Sequence, residues 1–379
     1  MKKYISVILA ILCLVPFFAL SVQADSPSVS AKSAVLIEAE SGKILYMKNA
    51  FIRLPMASTT KIMTALVAIE SGDIDREVDI CDEAIGTEGS SVYLAKGEVL
   101  TLRQLLYALM LASANDAAIA IAYEVGGSIE GFTRLMNQKA EALGLTSTHF
   151  TNPHGLHHEE HYTTAYELAL ITKAALQNEV FLEICSSKSA TIPLCGGEGT
   201  RYLSNHNKLL RSYKGAIGVK TGFTKASGRC LVSAAERDGL RLIAVTLNAP
   251  DDWRDHSSML DFGFERYKNE VFAQKGEFIA ELDISGGSLP TVIAANLNEL
   301  SACLPTSHGE LTYITEVNRP IFAPVKSGSV LGRVRVFCDG TEVASSPLVA
   351  LVNVEIYKTK HSFMERLKAL FQRRTLWKK

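Results

Sequence analysis

Apolar residues recur every three to four positions in some stretches of the chain and alternate or run together in others, which separates helices from strands. After Pro55, Ile62, Ala65, Leu66 and Ile69 stand at i, i+3, i+4 and i+7, predicting a buried helix that ends near Ser71-Gly72. Ser58 falls at its N-terminus, with Lys61 one turn on and on the same face. Thr101-Leu102-Arg103-Gln104 is a capping box opening a second apolar helix through Leu111. Polar Ser113-Ala114-Asn115-Asp116 interrupts it before a third helix from Ala117 to Val125. Further helices are expected from Ile129 to Leu143, capped by Gly144, and after the capping box Thr164-Ala165-Tyr166-Glu167, with Leu168, Ile171 and Ala175 as its stripe. Strand patterns frame this helical stretch. Ala34–Ile37 and Ile44–Met47 flank the turn Glu40-Ser41-Gly42-Lys43, and residues 229–235 and 240–247 flank Arg237-Asp238-Gly239. A helix around Asp255–Tyr267 is placed to pack on that sheet, while the chain beyond Glu179 reads as β-like and loop-rich. From about Gly276 the texture changes to short strand-like pieces with turn signals such as Asp339-Gly340, predicting a small antiparallel β-domain.

The two ends differ from the body. Met1-Lys2-Lys3, an apolar run from Tyr4 to Leu20 and the close Val22-Gln23-Ala24 describe a secretory signal peptide over residues 1–24; an uncleaved membrane anchor is the other reading. Residues 358–379 carry eight Lys/Arg against Glu365, a net of +7, and helical spacing gathers Phe363, Leu367, Leu370, Phe371 and Trp377 on one face. That is the pattern of a helix lying on an anionic membrane surface; an ordinary terminal helix packed on its own domain is the alternative. With −1 over the whole chain and +2 from Lys2 and Lys3, residues 4–357 carry −1 − 7 − 2 = −10, so no nucleic-acid partner is expected for the body. Of the seven cysteines, six lie beyond Cys13 in an exported chain, sparsely spaced; Cys185 and Cys195 are close enough to close a local loop.

Three short motifs carry candidate chemistry. Ser58-x-x-Lys61 sets a hydroxyl and an amine together at the positive end of a helix, a nucleophile and base arrangement that also occurs as a plain N-cap with a surface lysine. Ser113-x-Asn115, between two apolar helices, either satisfies its own turn or faces a cleft. Lys220-Thr221-Gly222 falls on the strand leading into the second hairpin, where a glycine lets an extended peptide approach the backbone. A fourth stretch, Asn152 to His161, holds four histidines, and His157-x-x-Glu160-His161 matches a zinc-peptidase pattern. That chemistry needs the pair on one helix face, whereas Asn-Pro and Gly upstream and the Thr164 cap downstream put these residues in a loop, so no metal is assigned.

Ser58-x-x-Lys61, Ser113-x-Asn115 and Lys220-Thr221-Gly222, in that order, resemble the motif set of penicillin-recognising serine enzymes. Together with Ala57–Thr64, Asn152-Pro153-His154-Gly155-Leu156 and Gly218–Gly222, they resemble the serine-type D-alanyl-D-alanine carboxypeptidases, the low-molecular-mass penicillin-binding proteins, over nearly the whole mature chain. The resemblance implies an α/β transpeptidase and β-lactamase-like domain, an antiparallel sheet with helices, over residues 25–270. A small all-β domain over 276–355 and an amphipathic anchoring helix over 358–379 would follow. It also implies roles: Ser58 as nucleophile, Lys61 as its base and Ser113 as proton relay. Asn115, Lys220, Thr221 and Gly222 would bind substrate, and the backbone N–H groups of Ser58 and Phe223 would form the oxyanion hole. The implied activity removes the terminal D-alanine from peptidoglycan stem pentapeptides, with β-lactams as covalent inhibitors and no metal or organic cofactor; a serine β-lactamase is the alternative. The middle motif reads Ser-Ala-Asn rather than Ser-Asp-Asn, and Phe223 follows the third motif where some relatives carry His.

Overall fold

The computed structural model describes residues 26–357 except 198, 318 and 319. The leader and the basic tail, with the readings placed on them, lie outside the described residues.

Strand β1 (Ser33–Glu38) is buried at all six positions and sits between β2 (Ile44–Lys48) and β9 (Leu240–Leu247) in a five-stranded sheet of order β2-β1-β9-β8-β7. Its run of apolar residues without alternation follows from that central place. It pairs antiparallel with β2 and with β9, setting Val35 opposite Met47 and Val245. Strands β7 (Ala216–Thr224) and β8 (Gly228–Arg237) pair antiparallel at the other side, with Thr221 opposite Leu231 and Phe223 opposite Arg229. The β8–β9 turn has Asp238 at φ +49 and Gly239 at φ +76, two left-handed central residues as a two-residue hairpin of primed type requires.

The helical layer is built on α1 (Lys61–Glu70), entered through a 3₁₀ turn over Ala57–Thr60. Every residue from Lys61 to Ile69 is buried, so α1 is the buried helix that residues 62, 65, 66 and 69 predict, covered on all its faces. Beyond a small ribbon of β3 (Glu77–Asp79) and β4 (Val99–Thr101) come α2 (Leu102–Leu111), α3 (Asn115–Gly126) and α4 (Ile129–Ala142). The Thr101 capping box is complete: Gln104 N donates to Thr101 Oγ1 at 3.2 Å and Thr101 N to Gln104 Oε1 at 2.9 Å. Gly144 takes φ +74 after α4, as its capping role requires.

Helix α5 (Ala165–Leu176) uses only half of its expected box. Thr164 Oγ1 accepts from Glu167 N at 3.0 Å, but the Glu167 carboxylate turns to the preceding loop and accepts from Thr146 N, Ser147 N and Thr148 Oγ1. The chain beyond Glu179, read as β-like, instead forms α6 (Glu179–Ser186). Asn178 caps it through Val180 N and Phe181 N, and Phe181, Ile184 and Cys185 supply a buried i, i+3, i+4 stripe too short to stand out in the sequence. The hairpin β5 (Ser189–Pro193) and β6 (Thr200–Ser204), the short α7 (Leu209–Ser212) and, after β9, helix α8 (Asp252–Arg266) complete this region. The Cys185 thiol lies 3.5 Å from the carbonyls of Leu182 and Ile217, its one S–H shared between them, and Cys195 is an exposed free thiol, so the local disulfide does not form.

Two compact units result, one running to Ala235 and taking in Leu242–Phe262, the other comprising Glu236–Arg241 and the chain from Gly263. In the second, β10 (Tyr267–Ala273) pairs with β13 (Leu300–Pro305). Strands β11 (Ile279–Ser285), β12 (Thr291–Asn296), β14 (Leu311–Val317), β15 (Ile321–Phe322), β16 (Val330–Cys338) and β17 (Thr341–Ala350) make a six-stranded sheet of order β14-β16-β17-β12-β11-β15. Val292, Val334, Val336 and Leu348, all fully buried, are its core, and alternation along β16 marks a sheet with one face inward.

Candidate active site

The start of α1, the α2–α3 junction and β7 meet at one cleft of about 580 Å³. Ser58, Ser113, Thr221, Gly222 and Phe223 line it, so three motifs spread over more than 150 residues of chain meet there. Lys61 and Asn115 lie behind Ser58, and Lys220 is buried at 1% exposure in the adjoining strand.

Lys61 is the centre of the polar network. Its Nζ is 3.1 Å from Ser58 Oγ, 2.6 Å from Asn115 Oδ1 and 2.7 Å from the carbonyl oxygen of His154. Complete burial, then the nearby Lys220, push its pKa well below the ordinary amine value, against the opposing pull of Asp116. A neutral amine has two N–H groups and one lone pair. Asn115 Oδ1 and His154 O are acceptors only; in the neutral form they would take the two N–H groups and leave the lone pair for the Ser58 hydroxyl. Burial also pushes Lys220 down, to about 7, and its Nζ donates to Thr221 O at 3.0 Å.

Asn115 is held at both ends of its amide. Its Nδ2 donates to Glu88 O at 2.6 Å while Oδ1 accepts from Lys61, and its backbone N donates to Ser90 O at 2.7 Å. Ala57 at φ +48 and Ser113 at φ +60 place two non-glycine residues in the left-handed region on either side of the cleft. Such conformations persist only where the surroundings over-determine them, as at a catalytic site.

Two glycines are set by close approach. A Cβ on Gly222 would lie 3.0 Å from Ser58 N and 3.1 Å from Thr59 N, so β7 passes directly beside the opening turn of the helix. The Ser58 and Phe223 backbones therefore flank the same space. Gly155, at φ +91, presses on Ala57, and its Cβ would stand 1.9 Å from Ala57 O.

The histidine-rich loop serves this packing. Thr60 Oγ1 donates to Ala57 O at 2.8 Å, so the 2.8 Å contact with His161 Nε2 has the ring donating. His161 Nδ1 then accepts from Thr151 N at 3.1 Å, which defines a neutral ring, and burial holds its pKa down to about 3. Thr64 Oγ1 adds a bond to Pro153 O at 2.6 Å. His157, His158 and Glu160 are exposed, so the zinc-peptidase pattern is not assembled. His154 is buried, its pKa lowered to about 3 by burial and then by Lys61, and it serves through its carbonyl.

Sequence reasoning missed the outer wall of the cleft, formed by Ser90, His206, Lys208, Arg229, Asp252 and Trp253. Arg229 Nη2 pairs with Asp252 Oδ1 at 2.9 Å, and Lys208 Nζ lies 5.9 Å from the Trp253 ring centre. His206 has its pKa lowered by burial and then by Lys220. Only the register of β7 on β8, which sets Arg229 across from Phe223, could have pointed to one of these.

Comparison with known proteins agrees with this geometry. The family described as D-alanyl-D-alanine carboxypeptidase matches residues 20–251, and that described as penicillin-binding protein 5, C-terminal domain, matches residues 267–356. The D-alanyl-D-alanine carboxypeptidase DacF of Bacillus subtilis is 34% identical over 335 residues, spanning 84% of this chain and 85% of the relative. DacC of Escherichia coli is 31% identical over 367 residues, spanning 89% and 88%. The crystal structure of penicillin-binding protein 5 from Haemophilus influenzae superposes with a TM-score of 0.73 at 27% identity, over 87% of this chain and 99% of that one. None of these matches favours the β-lactamase alternative. A cleft uniting the three motifs, on a chain matched along most of its length by these enzymes, places it in the D-alanyl-D-alanine carboxypeptidase family, the low-molecular-mass penicillin-binding proteins, as a hydrolase of that activity.

Proposed function

We propose that Ser58 carries the reaction through an acyl-enzyme. The observation that supports this most directly is the anchoring of the Lys61 amine on Asn115 Oδ1 and His154 O within 3.1 Å of Ser58 Oγ, an arrangement that in the neutral amine leaves the lone pair for the hydroxyl. The stem peptide lies along β7 beside Gly222, with the carbonyl of its penultimate D-alanine between the backbone N–H groups of Ser58 and Phe223. Ser58 Oγ bonds to that carbon as its proton passes to Lys61 Nζ. Collapse of the tetrahedral adduct breaks the C–N bond, and the proton moves through Ser113 to the departing amine of D-alanine. Water then attacks the ester carbon as Lys61 takes its proton, and Lys61 returns that proton to Ser58 Oγ as the C–O bond breaks, restoring the free hydroxyl and the neutral amine. A positioned base of this kind contributes about 10²–10⁴-fold, and each oxyanion donor about 10²–10³-fold.

Lys220 and Thr221 hold the terminal carboxylate, and Asn115 offers its remaining Nδ2 hydrogen to a substrate amide. Every step uses side chains and backbone of this chain, with no metal or organic cofactor. A β-lactam presents its strained amide to the same Ser58 and remains as a slowly hydrolysed ester. Mixing the protein with a labelled penicillin gives a stoichiometric adduct on the peptide containing Ser58, and a D-Ala-D-Ala pentapeptide releases D-alanine; absence of both overturns the reading.

In this reading residues 25–270 are the catalytic domain and 276–355 a spacer. The chain is exported and sits on the outer face of the cytoplasmic membrane through residues 358–379. The net +7 and the aromatic face of that segment support the anchoring. Deleting residues 358–379 releases the protein from vesicles containing anionic lipid without changing D-alanine release, and retention on the vesicles refutes that anchor.

A further inference from the structure

We infer that Arg201, remote from the reacting atoms, is a positioning residue for the base: with Glu98 and Asp116 it fixes the loop over residues 88–98, whose Glu88 and Ser90 carbonyls orient Asn115 against Lys61. The inference rests on the reading of Ser58 and Lys61 above.

Asn115 depends on this loop at two points. Its side-chain N–H donates to Glu88 O and its backbone N–H to Ser90 O, while a Cβ on the intervening Gly89 would fall 2.7 Å from Asn115 Nδ2. The loop therefore packs on the amide so closely that a displacement of its backbone must move Asn115. Val92 and Leu94 bury their side chains in the core, and polar ties set the loop backbone on either side of them, where Asn115 is held.

Two buried carboxylates hold it. Asp116, 1% exposed, follows Asn115 in α3 and accepts from Ser91 Oγ, from Val92 N at 3.2 Å and from Leu94 N at 3.1 Å. Those three bonds attach the middle of the loop to the helix that carries Asn115. Glu98, 2% exposed, lies at the loop's far end and accepts from Ala95 N at 2.9 Å. Both Glu98 oxygens also receive the guanidinium of Arg201, in a forked pair from Nη1 and Nη2. Arg201 stands on β6, and its remaining hydrogens reach Tyr93 O at 3.0 Å and Pro193 O at 2.8 Å. It thus bonds the loop twice, at Tyr93 and at Glu98, and ties both points to the β5–β6 hairpin. A planar fork with five donors makes these four bonds at once; a lysine ammonium cannot match two carboxylate oxygens and two carbonyls in that plane.

The consequence runs from Arg201 to the base through four links: the 88–98 loop, the Glu88 and Ser90 carbonyls, the Asn115 amide and the Lys61 amine. Loss of the fork releases the loop at Tyr93 and Glu98 and leaves only the Asp116 bonds to hold it, so the Asn115 amide shifts and the Lys61 amine is no longer held for Ser58. Arg201 itself touches no substrate, so the chemical step suffers more than the preceding non-covalent binding.

A double-mutant cycle tests this. Penicillin acylation is followed under single-turnover conditions in the full-length wild type, Arg201→Ala, Asn115→Ala and the double variant, with Arg201→Lys as the variant that keeps the charge and spares the fold. Asn115→Ala and Arg201→Ala each slow acylation, the latter about 10–100-fold and Arg201→Lys by less. In the Arg201 variants the concentration of penicillin giving half the maximal rate changes little, whereas Asn115→Ala, which also removes a substrate amide contact, raises it. In the Asn115→Ala background the Arg201 substitution then has almost no further effect, because the group it positions is gone. The acid limb of the Arg201→Ala acylation pH profile moves in the same direction as that of Asn115→Ala. Equal losses in both backgrounds, or an Arg201→Lys protein that stays folded and acylates at the wild-type rate with an unshifted profile, overturn the inference. A wild-type rate in Asn115→Ala also overturns it; there a Ser58 adduct keeps the nucleophile reading intact.

Discussion

Ser58→Ala forms no covalent penicillin adduct and releases D-alanine on the order of 10⁴-fold or more slowly than the wild type, as loss of a nucleophile does in serine hydrolases that work through a base. The same protein melts close to the wild-type temperature. Ser58 is partly exposed, and its hydroxyl meets the Lys61 amine, with Nζ at 3.1 Å. Removing it leaves the amine still bonded to Asn115 Oδ1 and His154 O, so no buried polar group loses its last partner. The expected stability change is within about 1 kcal/mol, as for other substitutions that open no cavity and break no buried network. Mass spectrometry of the penicillin-treated protein beside a melting curve decides it. An adduct elsewhere in the chain, or a residual rate within tenfold of wild type, assigns the nucleophile to another residue.

That separation of activity from stability reflects how the site is built. The helix start, the α2–α3 break and β7 were readable because each changes the apolar period at a polar residue, as where Ser113 and Asn115 interrupt a strongly apolar helical run. Convergence of the three was readable only through the resemblance of their order. The rest was hidden for physical reasons. Carbonyl groups of His154, Glu88 and Ser90 do much of the orienting, and a backbone acceptor has the same chemistry whatever residue bears it. Helix α6 escaped because eight residues give the period barely two turns, and its Asn178 cap weighs more than its stripe. In the histidine run the composition was plain and its use was not. One ring tethers the loop to Thr60, another residue contributes a carbonyl, and two face outward.

Gly155→Ala shows how far that loop governs the site, since it loses both stability and activity although residue 155 has no side chain to contribute. At φ +91 an alanine is strained by about 1–3 kcal/mol wherever it stands. Here its Cβ would also fall 1.9 Å from Ala57 O and 2.4 Å from Ala57 C, which is backbone that cannot swing away. With overpacking added, the total cost is about 2–5 kcal/mol, which lowers the melting temperature by roughly 5–15 °C. Relief requires the 153–156 loop to retreat from Ala57 or Ala57 to move. The first withdraws His154 O from Lys61 and the second shifts Ser58, the next residue. Displacements near 1 Å at reacting groups cost about 10²-fold, so acylation by penicillin falls by that order even at temperatures where the variant is fully folded. Gly276→Ala is the control, because Gly276 has φ +82 with nothing within 4 Å of its Cβ position. It carries the conformational strain alone, melts slightly early and acylates normally. If the two variants lose equal stability and both acylate at the wild-type rate, the approach of Gly155 to Ala57 does not constrain Ser58; if only Gly155→Ala is slow, the glycine is there so that one carbonyl can reach Lys61 while its neighbour presses on the turn that carries Ser58.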